Sequence, residues 1–182
     1  NETTVVSASV DKTLRVWDLT NDTSRVLRGH TSPVRSVIKL NETTVVSASY
    51  DRTLGVWDLT NGTARELTGH TDVVYSVVKL NETTIVSGSF DGTLRVWDLT
   101  NDTFRVLTGH TDWVNSVVKL NETTVVSASV DKTLRVWDLT NDTSRVLRGH
   151  TSQVRSVIKL NETTVVSTSR DRTLRVWYGF HS

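Results

Sequence analysis

The sequence predicts an all-β fold assembled from a repeated, four-stranded antiparallel unit. Three observations predict it. The segment Asn1-Glu2-Thr3-Thr4-Val5-Val6-Ser7 returns at Asn41, Asn81, Asn121 and Asn161, a period of 40 residues along a chain of 182. A period of roughly 20–50 residues marks one supersecondary unit stacked on copies of itself. Gly-His recurs at the same period (Gly29-His30, Gly69-His70, Gly109-His110, Gly149-His150), and so does Trp-Asp (Trp17-Asp18, Trp57-Asp58, Trp97-Asp98, Trp137-Asp138). Finally, apolar residues fall in short β-branched runs broken by turn chemistry, with no sustained helical period.

The unit from Gly29 to Thr68 justifies the four strands in order. The first, Val34 to Leu40, follows Pro33, where a missing N–H costs little. The polar turn Leu40-Asn41-Glu42-Thr43 leads to the second strand, Thr44 to Ser49. Tyr50-Asp51-Arg52 turns the chain into the third, Thr53 to Asp58. Val45, Val46, Leu54, Val56 and Trp57 put apolar groups on both faces of these two strands, as a sheet packed between two neighbours requires. Leu59-Thr60-Asn61-Gly62 then leads to Ala64 to Leu67, the fourth strand, and Thr68-Gly69-His70 crosses to the next unit.

A unit of this length carrying Gly-His and Trp-Asp is the signature of one propeller blade. The chain resembles the WD40 family over its whole length. The resemblance implies a WD40-type β-propeller of about 4.5 blades, with strands a to d running outward from a central channel. The expected units are 1–28 (partial), 29–68, 69–108, 109–148 and 149–182 (partial). The first lacks strand a and the last lacks strand d, and Tyr178 to Ser182 leaves the repeat. The expectation is therefore assembly between identical chains or derivation from a longer array, favoured over closure alone as a small ring.

Composition excludes several classes. Hydrophobic residues make up 36% and charged residues 23%, the balance of a globular chain. No run approaches the roughly 18 apolar residues of a membrane-spanning helix, and no apolar signal segment opens the chain. A net charge of +1 gives no global drive toward nucleic acid or acidic membrane. An intracellular location is favoured, with neither nucleic acid nor membrane as partner. Cysteine and methionine are absent and the chain opens mid-pattern, which suggests an excised or engineered segment or one part of a longer protein. Asn-x-Thr occurs nine times from Asn1 onward. Turn chemistry copied by the repeat explains it better than glycosylation.

Each unit offers a His, a Ser, an Asp and a Trp: His30, Ser47, Asp51, Trp57; His70, Ser87, Asp91, Trp97; His110, Ser127, Asp131, Trp137; and His150, Ser167, Asp171, Trp177. His, Ser and Asp can build a nucleophilic triad. Four equivalent catalytic sites in one small chain make the structural role the better reading. The WD40 resemblance implies a hydrogen-bonded chain from Asp to His to Ser to the Trp ring N–H, although Ser49 shares a strand face with Ser47 and leaves that choice open. The histidines stand 40 residues apart, without metal-ligand spacing, and no phosphate loop occurs. No cofactor, metal or catalytic residue is expected.

The copies are nearly identical, as after recent duplication, homogenisation or design, so their differences are informative. They cluster beside the Gly-His turn (Pro33/Val73/Trp113/Gln153 and Arg35/Tyr75/Asn115/Arg155) and in the turn after the second strand (Val10/Tyr50/Phe90/Val130/Arg170 and Lys12/Arg52/Gly92/Lys132/Arg172). The resemblance implies that these d–a and b–c loops share one face of the disc. Aromatic and arginine residues mark interaction hot spots. Tyr50, Tyr75, Phe90 and Trp113, with Arg35, Arg52, Val73, Asn115, Gln153, Arg155, Arg170 and Arg172, are therefore the candidate partner-binding residues. The expected function is a non-catalytic scaffold binding a protein or peptide, acidic or aromatic in character. The alternative is an engineered or amplified repeat that chiefly self-assembles, and carbohydrate binding ranks below both. Thr20, Thr60, Thr100 and Thr140 stand where cullin-ligase receptors of the family often carry arginine, so that role gains no support.

Overall fold

The computed structural model describes residues 3–179. The glycan-type motif at Asn1 and the tail residues Phe180, His181 and Ser182 lie outside the described residues. The described chain forms 18 strands in five antiparallel sheets. The first sheet holds β1 (Thr4–Ala8), β2 (Thr13–Asp18) and β3 (Thr23–Arg28). The second holds β4 (Val34–Lys39), β5 (Thr44–Ser49), β6 (Leu54–Asp58) and β7 (Ala64–Leu67). The third holds β8 (Val74–Lys79), β9 (Thr84–Ser89), β10 (Leu94–Asp98) and β11 (Thr103–Leu107). The fourth holds β12 (Val114–Lys119), β13 (Thr124–Ser129), β14 (Leu134–Asp138) and β15 (Thr143–Leu147), and the fifth β16 (Val154–Asn161), β17 (Thr164–Ser169) and β18 (Leu174–Tyr178). Within each sheet the strands pair in sequence order. No helix occurs among the described residues.

In the second sheet the observed strands differ from the expected ones by a residue at two ends. Thr53 stays outside β6, and its N–H and hydroxyl both donate to Asp51 Oδ1 in the turn. Leu40 stays outside β4 but is buried, and its N–H donates to Thr44 O at 2.9 Å.

Packing follows from strand alternation, since successive side chains point to opposite faces. Val46, Ala48, Leu54, Val56 and Leu67 on one face of the second sheet bury themselves against Val74, Val77, Ile85 and Trp97 of the third. The same interface recurs between the third and fourth sheets and between the fourth and fifth. At roughly 25 cal/mol per Å² of apolar area, this burial dominates what holds neighbours together. Polar stitches align the sheets further. Val117 N–H donates to Ser76 Oγ (3.1 Å) between first strands, and Lys119 Nζ to Leu80 O (2.5 Å). Toward the outer strands Arg65 Nη2 donates to Leu99 O (2.7 Å) and Arg105 Nη2 to Leu139 O (2.5 Å).

Among the described residues the two outermost faces have no such neighbour. Leu174 is 61% exposed where its counterpart Leu134 is fully buried, and Trp17 is 39% exposed where Trp57 is 1%. Ile158, Leu160 and Val176 on the last sheet and Val5 and Leu19 on the first are also exposed. The five sheets thus form an arc whose end faces do not cover each other.

Candidate partner-binding face

The loop face is built on the repeated His-Ser-Asp-Trp chain. In the second sheet Trp57 Nε1–H donates to Ser47 Oγ (2.7 Å), His30 Nε2 lies 2.7 Å from the same oxygen, and His30 Nδ1 lies 2.8 Å from Asp51 Oδ2. Asp51 also accepts from Thr31 N–H (2.9 Å), so the carboxylate ties the crossover loop to the turn after β5. His70, Ser87, Asp91 and Trp97 repeat these contacts at 2.7–2.8 Å. His110, Ser127, Asp131 and Trp137 do so at 2.6–2.8 Å, and His150, Ser167, Asp171 and Trp177 at 2.8 Å. A neutral imidazole protonated on Nδ1 lets every hydrogen bond point one way: indole to serine, serine to imidazole, imidazole to carboxylate.

Electrostatics agree with that assignment. Burial lowers the His70 imidazole below its ordinary value, against the opposing pull of Asp91. Burial would raise the Asp91 and Asp131 carboxyls, but hydrogen bonds from His70 and Thr93, and from His110 and Thr133, outweigh it and hold both well below the usual carboxylate range. The distances resemble those of a hydrolytic triad. Ser47, Ser87, Ser127 and Ser167, however, are 0% exposed and each accepts an indole N–H, so no substrate carbonyl reaches them. Among the described residues no group of His, Cys, Asp and Glu is placed to hold a metal ion.

The second serine of each pair, a residue not singled out from the sequence for this role, clamps the two loops together. Ser49 Oγ lies 3.1 and 3.0 Å from the carbonyls of Ser32 and Pro33, and accepts from Asp51 N–H. Ser89 and Ser129 bond in the same way to Asp72 O and Asp112 O, both at 3.0 Å. The repeated Ser-x-Ser spacing was its only sequence signal. Backbone bonds complete the clamp: Tyr50 N–H to Pro33 O, Phe90 N–H to Val73 O, Val130 N–H to Trp113 O and Arg170 N–H to Gln153 O, each 2.9 Å. The d–a loop and the b–c turn therefore sit side by side in every complete junction.

Two backbone irregularities aim the variable side chains. The register of β4 with β5 slips between Val34 and Ser36, leaving Arg35 as an extra residue. The same bulge frees Tyr75, Asn115 and Arg155. A bulge re-aims the side chain it carries. The turn before each third strand places Lys12, Arg52, Gly92, Lys132 and Arg172 at φ of 66–80°.

The result is one aromatic row across three sheets. Tyr75 stacks on Phe90 (4.9 Å, 21°), and Phe90 stacks on Trp113 (4.2 Å, 4°). Tyr50 meets the rings of Tyr75 and Phe90 at 6.3 and 6.4 Å, and the Arg35 guanidinium lies 4.6 Å from the Tyr75 centroid. Trp113 is 47% exposed and Tyr50 40%, while Tyr75 and Phe90 are half-buried by their neighbours. The other candidates lie outside the row. Arg155, Arg170 and Arg172 are exposed on the fifth sheet, and Arg52 is exposed beside Tyr50. Val73 and Gln153 are half-buried, their carbonyls engaged by the following turns. Asn115 donates from Nδ2 to Val154 O (2.9 Å), which commits it to joining the fourth sheet to the fifth.

Comparison with curated proteins found no match. Comparison with family models matched the WD domain, G-beta repeat (WD40), five times, over residues 1–18, 21–58, 62–98, 101–138 and 141–178. The matches cover nearly the whole chain, agree with the repeated Trp-Asp and the five-sheet architecture, and establish that this chain belongs to the WD40-repeat family.

Proposed function

We propose that this chain is a non-catalytic interaction scaffold that binds a protein or peptide partner on the face carrying its d–a loops and b–c turns. WD40 repeats are in general protein-interaction scaffolds. The observation that carries the more specific reading is the stacked row Tyr75–Phe90–Trp113 with Arg35 at one end. Contiguous exposed aromatic surface is costly to leave in water, and buried aromatic anchors supply most of the energy of protein interfaces. Arginines at Arg35 and Arg52 on one side and Arg155, Arg170 and Arg172 on the other favour a partner with acidic residues flanking an apolar centre. Selection from a random peptide library tests this. Peptides enriched by the chain are expected to bind at least about 30-fold more weakly to Trp113→Ala, the effect of losing one hot spot. Equal binding to wild type and to the Tyr75→Ala, Trp113→Ala double variant rejects the face.

A second reading, self-assembly, is favoured by the uncovered end faces. Leu174 and Val176 on the last sheet, and Val5 and Trp17 on the first, occupy positions whose counterparts inside the arc are buried. The end faces are thus the two complementary halves of the inter-sheet interface. The aromatic row takes no part in that contact, so the Tyr75 and Trp113 substitutions separate the two readings.

A further inference from the structure

We infer that the second sheet carries a vacated arginine slot that receives an arginine side chain from a partner protein. In the sister sheets the residue two before the Trp-Asp tryptophan is arginine, and its guanidinium lies against the ring. Arg15 is 5.3 Å from the Trp17 centroid, Arg135 5.7 Å from Trp137, and Arg95 6.0 Å from Trp97 and 4.1 Å from Phe104. The guanidinium is tucked beneath the glycine of the crossover, where a Cβ on Gly69 would press on Arg95 and one on Gly109 on Arg135. Arg15 and Arg135 also donate to Ser24 and Ser144 on the fourth strand.

The second sheet changes all three parts of this arrangement together. Gly55 stands where the arginine would be, Ala64 replaces the serine or phenylalanine, and Glu66 replaces the valine across the strand from it. The register confirms the correspondence: Gly55 pairs with Glu66 as Arg95 pairs with Val106, and Trp57 with Ala64 as Trp97 with Phe104. One substitution removes the resident cation and its stem, and another removes what covered it. The third adds a carboxylate at the position opposite. A cavity of about 120 Å³ remains, bordered by His30, Gly55, Trp57, Ala64 and Glu66, and by Arg65, whose own guanidinium is engaged by Leu99 O and Asp102. The Trp57 ring, 1% exposed, closes the inner wall of this space, with Nε1 and Cε2 within 3 Å of where a Cβ on Gly55 would stand, so an entering guanidinium must displace it.

The surrounding chemistry suits arginine better than a simple ammonium. A planar guanidinium stacks on an indole face while donating in its own plane to a carboxylate. Glu66 supplies that acceptor, and the sister sheets show the same protein framework holding the same group. The site lies on strands c and d and shares no residue with the aromatic row, so it stands or falls independently of the peptide-binding face.

The test is a titration of N-acetyl-arginine amide, followed through the Trp57 indole N–H resonance, with the citrulline analogue as the uncharged control. A saturating shift of Trp57 is expected with the arginine compound and none with citrulline. Gly55→Arg, which restores the sister residue, is expected to abolish the response while the Trp97 and Trp137 resonances stay in place. Glu66→Val, at an exposed position, is expected to weaken binding about tenfold, as loss of a charge-assisted hydrogen bond does. Absence of a saturating Trp57 shift, an equal response to citrulline, or unchanged affinity in Glu66→Val overturns the proposal.

Discussion

Phe90 and Trp113 lie face to face, 4.2 Å between centroids and 4° between planes, although one opens the turn between β9 and β10 of the third sheet and the other immediately precedes β12 of the fourth. An offset-stacked pair of this kind contributes about 0.5–1.5 kcal/mol beyond its area. Phe90→Ala should therefore leave Trp113 free to reorient and reduce peptide binding nearly as much as Trp113→Ala does. Near-ultraviolet circular dichroism and isothermal titration would record both effects. Unaltered binding in Phe90→Ala would show that Trp113 acts alone.

The buried serine of each network should matter according to how many bonds it makes. Ser87 accepts from Trp97 and bonds His70, whereas among the described residues Ser7, on the open end of the arc, has the single side-chain bond from Trp17. Ser87→Ala should cost about 1–3 kcal/mol, the penalty for orphaning buried polar partners. Ser7→Ala should cost distinctly less. Urea denaturation of the two variants gives the comparison, and equal losses would contradict the network as a stabilising element.

Acid should weaken the fold in two stages. The folded pKa of His70 is depressed by burial. The unfolded chain therefore takes up its proton near pH 6.5 while the folded chain does not, so stability falls as pH drops below about 6.5. Asp91 and Asp131 are also depressed in the folded state, and their contribution is present above about pH 3.9 and is lost as pH falls below it. Protonated His70 would also donate from Nε2 to Ser87, whose hydrogen would then need a new acceptor. Denaturation midpoints at pH 8, 6, 5 and 3.5 should decline in that order. A flat profile between pH 8 and 5 would contradict the His70 assignment.

Arg52 sits at φ 75° and Gly92, its counterpart, at φ 80°. A left-handed conformation costs a non-glycine residue about 1 kcal/mol. Arg52→Gly should stabilise the chain by up to about that amount while weakening capture of acidic peptides. Thermal denaturation and peptide affinity measured on the same sample test the pair of effects. Weaker binding without a gain in stability would show that the turn stores no strain.

The uncovered end faces make a prediction about mass. Light scattering coupled to size exclusion should give a species heavier than 20.3 kDa, and Leu174→Glu with Val176→Glu should reduce it to monomer. Both residues are already exposed in the single chain, so stability of the monomer should change little. A wild-type monomer would remove self-assembly as a reading and leave the partner-binding face unaffected.

Much of this architecture was legible because it is local and repeated. β-Branched runs and turn residues at a fixed interval specify strands, and apolar residues on both faces of β5 and β6 announce sheets packed between neighbours. The candidate face was legible only in part. Differences among nearly identical copies pointed to Arg35, Tyr75, Phe90 and Trp113, yet Asn115 in the same class spends its amide on Val154 O. Nothing in a residue's type says whether its neighbour across a sheet boundary will claim it.

By itself the sequence determined the repeat, the succession of strands and turns within each unit and the residue types available to the loops, because each depends on chemistry within a few dozen residues. Tertiary structure alone decided the rest. It chose Ser47 over Ser49 for the indole, because strand pairing sets Ser47 beside the Trp57 ring and Ser49 beneath the crossover carbonyls. It turned Arg35, Tyr75, Asn115 and Arg155 into bulge residues, because the first strand must fit one extra residue against the second. Leu174 was left exposed and Leu134 buried, though both stand in the same motif, because burial depends on having a neighbouring sheet and not on the residue itself.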